Sequence, residues 1–360
     1  MSSILPVTES SPATYASGSD VMPAIRVTPV DSISVCICTF RRPNRLARLL
    51  AALAQQQPAG AIHEIVVVDN DADGSARTVV ESAGARVPWP IRYQIQPRRG
   101  IARTRNLAVS VARGDWLALI DDDELPESDW LAQLWGTAQA TQADGVLGPV
   151  FSKIPDNAPA WIRRGNFYRR QGFKTGATVP SRNLITGNLL IRADWMRSES
   201  GPFNEAFNLT GGEDGDLMLR LRNRGARFVW CQEAAVCEDL DRNRLSLRWL
   251  LARSLRGGQN HARHVLDGRF GPMTPASRAL FALDCVAKLV AASLLCLTSL
   301  PLPKHHRVAA LRTGVVQWGK LSQFWNSRFE EYRHFAGTAP TRAPNPAAVR
   351  KERSRRSTDR

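Results

Sequence analysis

No Cys-X-X-Cys pair occurs in this chain. Its six cysteines, Cys36, Cys38, Cys231, Cys237, Cys285 and Cys296, follow no metal-finger spacing. Most sit in apolar runs, which reads as reduced core thiols of a cytosolic protein and excludes a disulfide framework. The first 30 residues lack a basic stretch followed by an apolar core, so no secretory signal is expected. Their Ser, Thr and Pro content predicts a disordered arm. No Gly-X-Gly-X-X-Gly follows the first apolar run, which disfavours a dinucleotide-binding dehydrogenase. No P-loop signature occurs either. Segment 280–302 is strongly apolar but contains Asp284 and Lys288. Its uncharged part is about 12 residues, short of the ~20 of a membrane span. That favours a helix lying on or dipping into a membrane, or a buried one, with a true span as the lesser alternative.

What is present describes an enzyme-sized globular chain. The 360 residues are 43% hydrophobic and 22% charged, enough for a sizeable core. The net charge of +15 fits an anionic partner: a nucleotide diphosphate, acidic lipid or nucleic acid. Arginines near 98–105 and in the tail 350–360 carry much of the excess.

The centre of the pattern is Trp116-Leu117-Ala118-Leu119-Ile120-Asp121-Asp122-Asp123-Glu124. A strand-like apolar run ends in four carboxylates, and Pro126 behind them predicts a helix start. Four like charges repel one another. Either water solvates them as an acidic turn, or a hard cation such as Mg²⁺ or Mn²⁺ relieves the repulsion and bridges to a diphosphate.

Other strands lead to similar ends. Ile33-Ser34-Val35-Cys36-Ile37-Cys38-Thr39 alternates as a strand does. A helix opens at Pro43, with Leu46, Leu49, Leu50 and Leu53 as its stripe. Glu64-Ile65-Val66-Val67-Val68-Asp69-Asn70 reads as a buried parallel strand. Ile91-Arg92-Tyr93-Gln94-Ile95 is a third, and Arg99-Gly100-Ile101 begins a helix with Arg103 and Arg105. Strand alternating with helix predicts a mostly parallel sheet with right-handed crossovers. Thr39, Asp69 and the Asp121-Asp122-Asp123 run would then share one edge, where open α/β sheets bind ligands.

Further on, 145–151 is expected as a strand, 161–176 as a basic aromatic loop, and 184–191 as a strand interrupted at Gly187. Gly211-Gly212-Glu213-Asp214 opens a helix that closes at Gly225. Residues 226–231 and 234–237 read as closing strands. A basic amphipathic helix is expected over 245–264 and another helix over 317–335. The domain reading is an arm over 1–30, an α/β domain over 31–240, a helical and membrane-associated extension over 241–336, and a basic disordered tail over 337–360.

With these residues in view, the chain resembles the family 2 glycosyltransferases of the GT-A fold, closest to bacterial succinoglycan-type exopolysaccharide enzymes. The resemblance covers roughly 31–265. It rests on Thr39-Phe40-Arg41-Arg42, Val68-Asp69-Asn70, Gly100-Ile101-Ala102-Arg103-Thr104-Arg105-Asn106, Asp121-Asp122-Asp123 and Gly212-Glu213-Asp214, in that order. It implies an inverting, metal-dependent transfer from a nucleotide sugar, expected to be UDP-linked, with Mn²⁺ or Mg²⁺ as cofactor. The acceptor implied is a lipid-linked saccharide or polysaccharide at the cytoplasmic face of a bacterial inner membrane. By the same resemblance Asp69 contacts the base, the alternative being that it closes an Asx turn; Thr39 and Arg41 line the nucleotide pocket, and Arg99, Arg103 and Arg105 are candidates for diphosphate or ribose. Helical spacing denies those three a common face. Asp121 would bind ribose, Asp122 point away and Asp123 bind the metal. Asp214 would be the general base, with Glu213 its competitor, since adjacent helical positions face different ways.

One departure is plain. Related enzymes often offer the metal a late histidine, where this chain reads Val236-Cys237-Glu238-Asp239. Glu238 is the candidate ligand there. His261 and His264 receive no role, and Arg253 and Arg256 either close over the diphosphate or form a solvated face. Two other readings stay open: a nucleic-acid-binding protein with interleaved basic and aromatic residues, and a nucleotidyltransferase. The leading reading expects no nucleic acid.

Overall fold

The computed structural model describes residues 31–57, 61–327 and 329–330. The expected arm and tail lie outside the described residues.

The chain begins with β1 (Ser32–Thr39), α1 (Pro43–Leu53), β2 (Ala61–Asp69), α2 (Arg77–Gly84), β3 (Ile91–Ile95), α3 (Ile101–Val111) and β4 (Trp116–Asp121). It continues through β5 (Glu124–Pro126), α4 (Trp130–Thr141), β6 (Gly145–Leu147), β7 (Val150–Lys153), α5 (Ala160–Gly165), β8 (Leu189–Arg192), α6 (Ala193–Arg197), α7 (Glu213–Asn223), β9 (Phe228–Trp230) and β10 (Val236–Asp239). Three helices follow: α8 (Leu247–Leu266), α9 (Pro275–Thr298) and α10 (Lys304–Ser322).

Seven strands form one sheet in the order β3-β2-β1-β4-β8-β6-β9. All are parallel except β8, which runs against β4 and β6. The apolar strands bury both faces, as a sheet covered by helices must. One core lies on the α1 side, with Leu46, Leu49, Leu50 and Trp130. The other lies on the α3 and α7 side, with Val109, Met196, Phe203 and Leu217. Register sets the functional edge: Thr39 pairs with Asp69, and Cys38 with Asp121. Three polar strand ends therefore stand level on neighbouring strands, as the alternation predicts.

Several boundaries differ from expectation. Pro126 ends the short strand β5 instead of starting a helix; α4 begins at Trp130. Segment 145–151 contains two strands of different sheets, because β7 leaves for a small sheet ordered β5-β10-β7. The switch falls at Gly148, where a Cβ would stand 2.1 Å from the Ala234 carbonyl oxygen. Only the second half of 184–191 is strand. Asn188, buried and left-handed at φ 55°, accepts from Trp130 Nε1 and donates to the carbonyls of Pro149 and Ala234. No helix starts at 317; α10 already spans Lys304–Ser322.

The last three helices pack mainly on one another. α8 and α10 approach so closely that a Cβ on Gly258 would lie 2.2 Å from the Val316 carbonyl oxygen, and one on Gly319 2.4 Å from that of Leu255. α9 is 24 residues long, longer than its uncharged stretch, and is apolar enough by length and composition to cross a membrane. Only Cys285 and Ala292 in it are buried, while Leu280, Leu283, Val286, Val290, Leu294 and Leu297 form an exposed stripe at helical spacing.

Because backbone cannot yield as a side chain can, Gly258→Val is expected to lower stability by about 1–3 kcal/mol or more. Thermal unfolding of the full chain measures this. An unchanged melting temperature would show that α8 and α10 are not so tightly apposed.

Candidate active site

The four consecutive carboxylates meet four different fates. Asp121, at the end of β4, has a side chain 47% exposed, and its Oδ1 accepts from Arg105 at 3.2 Å. Asp122 turns back and is buried: it accepts from Thr39 Oγ1 at 2.8 Å and from Arg42 at 3.0 Å. Asp123 Oδ2 faces Arg45 at 2.9 Å, Arg244 at 3.1 Å and Arg42 at 3.4 Å. Glu124 is buried, and its Oε2 accepts the Asp121 backbone N–H at 3.1 Å. Burial, then the charge of Asp121, holds its carboxyl well above the usual range.

Arg105 joins the two acidic motifs. Its side chain is 10% exposed, and it donates to Glu213 at 2.6 Å and to Asp121 at 3.2 Å. Residues 92 positions apart, 121 and 213 by number, are thereby brought to one cleft. Burial pushes Glu213 up to about 7, with Arg105 pulling down and Asp214 pushing up. Removing one partner of such a buried pair typically costs about 3–5 kcal/mol. Asp214 is half-buried, and its Oδ1 accepts the Gly215 N–H at 2.7 Å. It lies within electrostatic reach of Asp121 and Arg105. Desolvation in the cleft raises Asp121; Arg105 pulls it back, and Asp123 and Asp214 push it further up.

The turn into α7 is set from outside by α8. Gly212 is left-handed at φ 98°, and a Cβ there would meet Asn260 Nδ2 at 2.6 Å; a Cβ on Gly215 would meet His264 Cε1 at 2.9 Å. Asn260 and His264, four apart on one helix face, therefore press on the loop that carries Glu213 and Asp214. Burial lowers the pKa of His264, while Asp216 and Asp214 raise it. Periodicity carried no signal for this role, because the partner helix is known only after folding.

Other expected residues are distributed as follows. Asp69 is fully buried and accepts from the N–H groups of Asp71 (3.0 Å) and Ala76 (2.8 Å) and from Tyr93 Oη (3.0 Å). Its hydrogen-bonding capacity goes into shaping the loop after β2. Thr39 faces Asp122. Arg41 pairs in a fork with Asp71 at 3.1 Å. Arg41 and Arg99 flank Phe40 at 5.3 and 4.8 Å from its ring centre, so Phe40, which spacing did not single out, marks that side of the cleft. Arg103 pairs with Glu205 at 2.6 Å, on another face of α3 from Arg105. Asp122 is turned towards Thr39 and Arg42.

For a hard divalent cation the oxygen chemistry of the β4 end is right. Asp121 offers its Oδ2 beside Gly187, whose absent Cβ leaves the gap open: one there would lie 3.3 Å from that oxygen. Asp123 has its Oδ2 among three guanidiniums, so a cation would reach it only by displacing one of them. Glu238 does not fit: its two oxygens accept from Ser152 at 2.5 Å and Arg244 at 3.1 Å. Among the described residues, no three His, Cys, Asp or Glu side chains gather as a ready-made cage.

Sequence comparison decides the family. The chain is 36% identical to the succinoglycan biosynthesis protein ExoM of Rhizobium meliloti (strain 1021) over 239 residues, 66% of this chain and 77% of that protein. Residues 34–197 match the glycosyl transferase family 2 signature. The chain belongs to glycosyl transferase family 2. This transferase is also 25% identical to a chondroitin synthase of Pasteurella multocida (strain Pm70), over 57% of its own length and 25% of that larger protein. The mannosyltransferase PcManGT from Pyrobaculum calidifontis, solved with GDP-Man and Mn²⁺, matches it with a TM-score of 0.57 at 19% identity. That match covers 84% of this chain and 89% of the other. The transferase thus has the GT-A fold, and the nucleotidyltransferase reading loses its support.

The pH dependence of stability follows from Asp122, which burial pushes up to about 6 against the opposing pull of Arg42. An unfolded aspartate titrates near 3.9. The folded form therefore holds its proton longer, and this contribution is whole below about pH 4 and lost as pH rises through about 6. Asp122→Asn is expected to flatten that part of the profile, measured as melting temperature at about pH 5 and about pH 7. A slope equal to that of the unaltered enzyme would remove Asp122 as its source.

Proposed function

We propose that this transferase moves a sugar from a nucleotide sugar to a lipid-linked saccharide or growing polysaccharide, with inversion at the anomeric carbon. The observation that carries this reading is the Arg105 bridge, which sets Asp121 and the Glu213-Asp214 pair in one cleft. Glu213 is buried in its ion pair, whereas Asp214 is partly open, which favours Asp214 as the base. Its carboxylate takes the proton of the acceptor hydroxyl as that oxygen attacks the anomeric carbon. Attack from the face opposite the leaving group turns an α-linked donor into a β-glycoside. The nucleotide lies towards Phe40, Arg41 and Arg99, with Asp121 at the ribose. Asp121 and Asp123 would hold the divalent cation, whose chemistry is to neutralise charge developing on the departing diphosphate. The GDP-Man and Mn²⁺ of the mannosyltransferase support a nucleotide-sugar donor and a metal. The ExoM and chondroitin synthase relatives support a saccharide acceptor.

Asp214→Asn is expected to lower kcat by about 100-fold or more while leaving nucleotide binding intact. Glu213→Gln loses stability as well as rate. Transfer of labelled sugar from a panel of nucleotide sugars, with and without Mn²⁺, measures both; turnover of Asp214→Asn at the unaltered rate would sink the assignment.

The exposed α9 stripe supports residence on the cytoplasmic face of the membrane. Lys304, exposed at the start of α10, accompanies it, as suits anionic lipid. Asp284 and Lys288 within α9 support a helix that lies in the interface over one that crosses it. Val290→Asp with Leu294→Asp should move the protein from anionic vesicles to the supernatant in a sedimentation assay, with its fold retained. Unchanged sedimentation would rule out this face as the anchor.

A further inference from the structure

A line of cations held over aromatic rings leads from the carboxylates to the apolar helices. Arg244, which holds Asp123 and Glu238, lies 5.9 Å from the centre of the Trp249 ring, and Arg253 lies 5.2 Å from the same ring. Tyr168 stacks on Trp249 at 5.9 Å and donates its hydroxyl to the Arg244 carbonyl at 2.6 Å. Arg312 of α10 then sits 5.1 Å over Phe167 and donates to Ser254 at 3.2 Å. Lys304 sits 5.0 Å over Trp161. Lys304 is exposed and opens α10, two residues after the exposed Leu302.

Beyond Arg244, whose partners are Asp123 and Glu238, the segments that carry this line supply no acid of their own. Residues 157–193 and 242–266 contain no Asp or Glu. Among the described residues Arg253 makes no ion pair or side-chain hydrogen bond, although it is exposed. Arg256, Arg170 and Arg244 crowd it, with Glu238 opposing. Gathering guanidinium groups on one surface costs free energy that an arriving anion recovers. Aromatic faces hold the guanidiniums in fixed planes, and a fixed guanidinium fork matches phosphate oxygens.

We propose that this seam is an acceptor-binding track in which Arg253 and Arg312 grip the diphosphate of a lipid-linked saccharide. The apolar chain of that acceptor would leave past Lys304 and Leu302 towards the membrane. The track lies on the α8 and α10 side of the site, away from the Phe40 edge assigned to the nucleotide. The inference rests on the lipid-linked acceptor of the preceding section and adds where that acceptor is held.

The test is titration calorimetry of the full chain with farnesyl diphosphate below its micelle threshold, with inorganic diphosphate, and with UDP. No donor sugar is present, so the result does not depend on transfer activity. Arg253→Ala is expected to weaken farnesyl diphosphate and inorganic diphosphate at least 10-fold and leave UDP unchanged. Arg253→Lys, which keeps the charge but not the fork, should fall between, and serves if the alanine variant does not fold. Added salt should weaken binding in the unaltered enzyme. The proposal is overturned if Arg253→Ala leaves all three affinities unchanged. It is overturned equally if only UDP weakens, which would give the arginine to the donor, or if single-stranded DNA binds the seam more tightly than farnesyl diphosphate at physiological salt.

Discussion

Arg105 is the constraint on which the site depends. It is a nearly buried guanidinium between a strand-end aspartate and a helix-start glutamate, bonded to both. Take away either acid and a charge is left stranded in the interior; take away the arginine and two carboxylates repel across the cleft. The elements on each side, β4 and α7, belong to distant parts of the chain. Their separation is therefore set by an interaction that tolerates little displacement.

The rest of the acidic edge obeys the same rule of local neutralisation by different means. Asp122 is buried under a threonine hydroxyl and Arg42. Asp123 is ringed by Arg42, Arg45 and Arg244, and burial holds the carboxyl of Glu124 above its usual range. A run of four like charges is thus a set of four separately compensated groups, and only Asp121 offers substantial exposed carboxylate. The arginines responsible come from the start of α1 and the residue before it, and from the segment after β10, so the C-terminal portion helps to build the site. Asn260 and His264 make the same point, since they press on the glycines that let α7 begin where it does.

Charge is distributed accordingly. Between Arg242 and Arg328 the sequence has fourteen Lys or Arg against Asp267 and Asp284, so this part of the chain, besides the arginines near 100 and the tail, is a main seat of the positive excess. Together with the outward apolar stripe of α9, that places cationic and apolar surfaces side by side. The proposed lipid-linked acceptor would use both.

Alternation of strand and helix, the level polar strand ends and the paired Glu213-Asp214 helix start were all legible in the residue pattern. They depend on local periodicity and on where charges interrupt apolar runs. The boundaries that misled, Pro126, Gly148 and the start of α10, lie where strand pairing or packing from far along the chain overrode the local preference. The sequence alone determined a family 2 transferase with an acidic edge. Only the tertiary structure decided that Glu213 is the buried ion-pair partner while Asp214 stays open, that Glu238 is taken up by Arg244, and that Asp69 braces a loop. A carboxylate's role follows from its neighbours and its access to water, and those are settled by chain segments that linear spacing does not bring together.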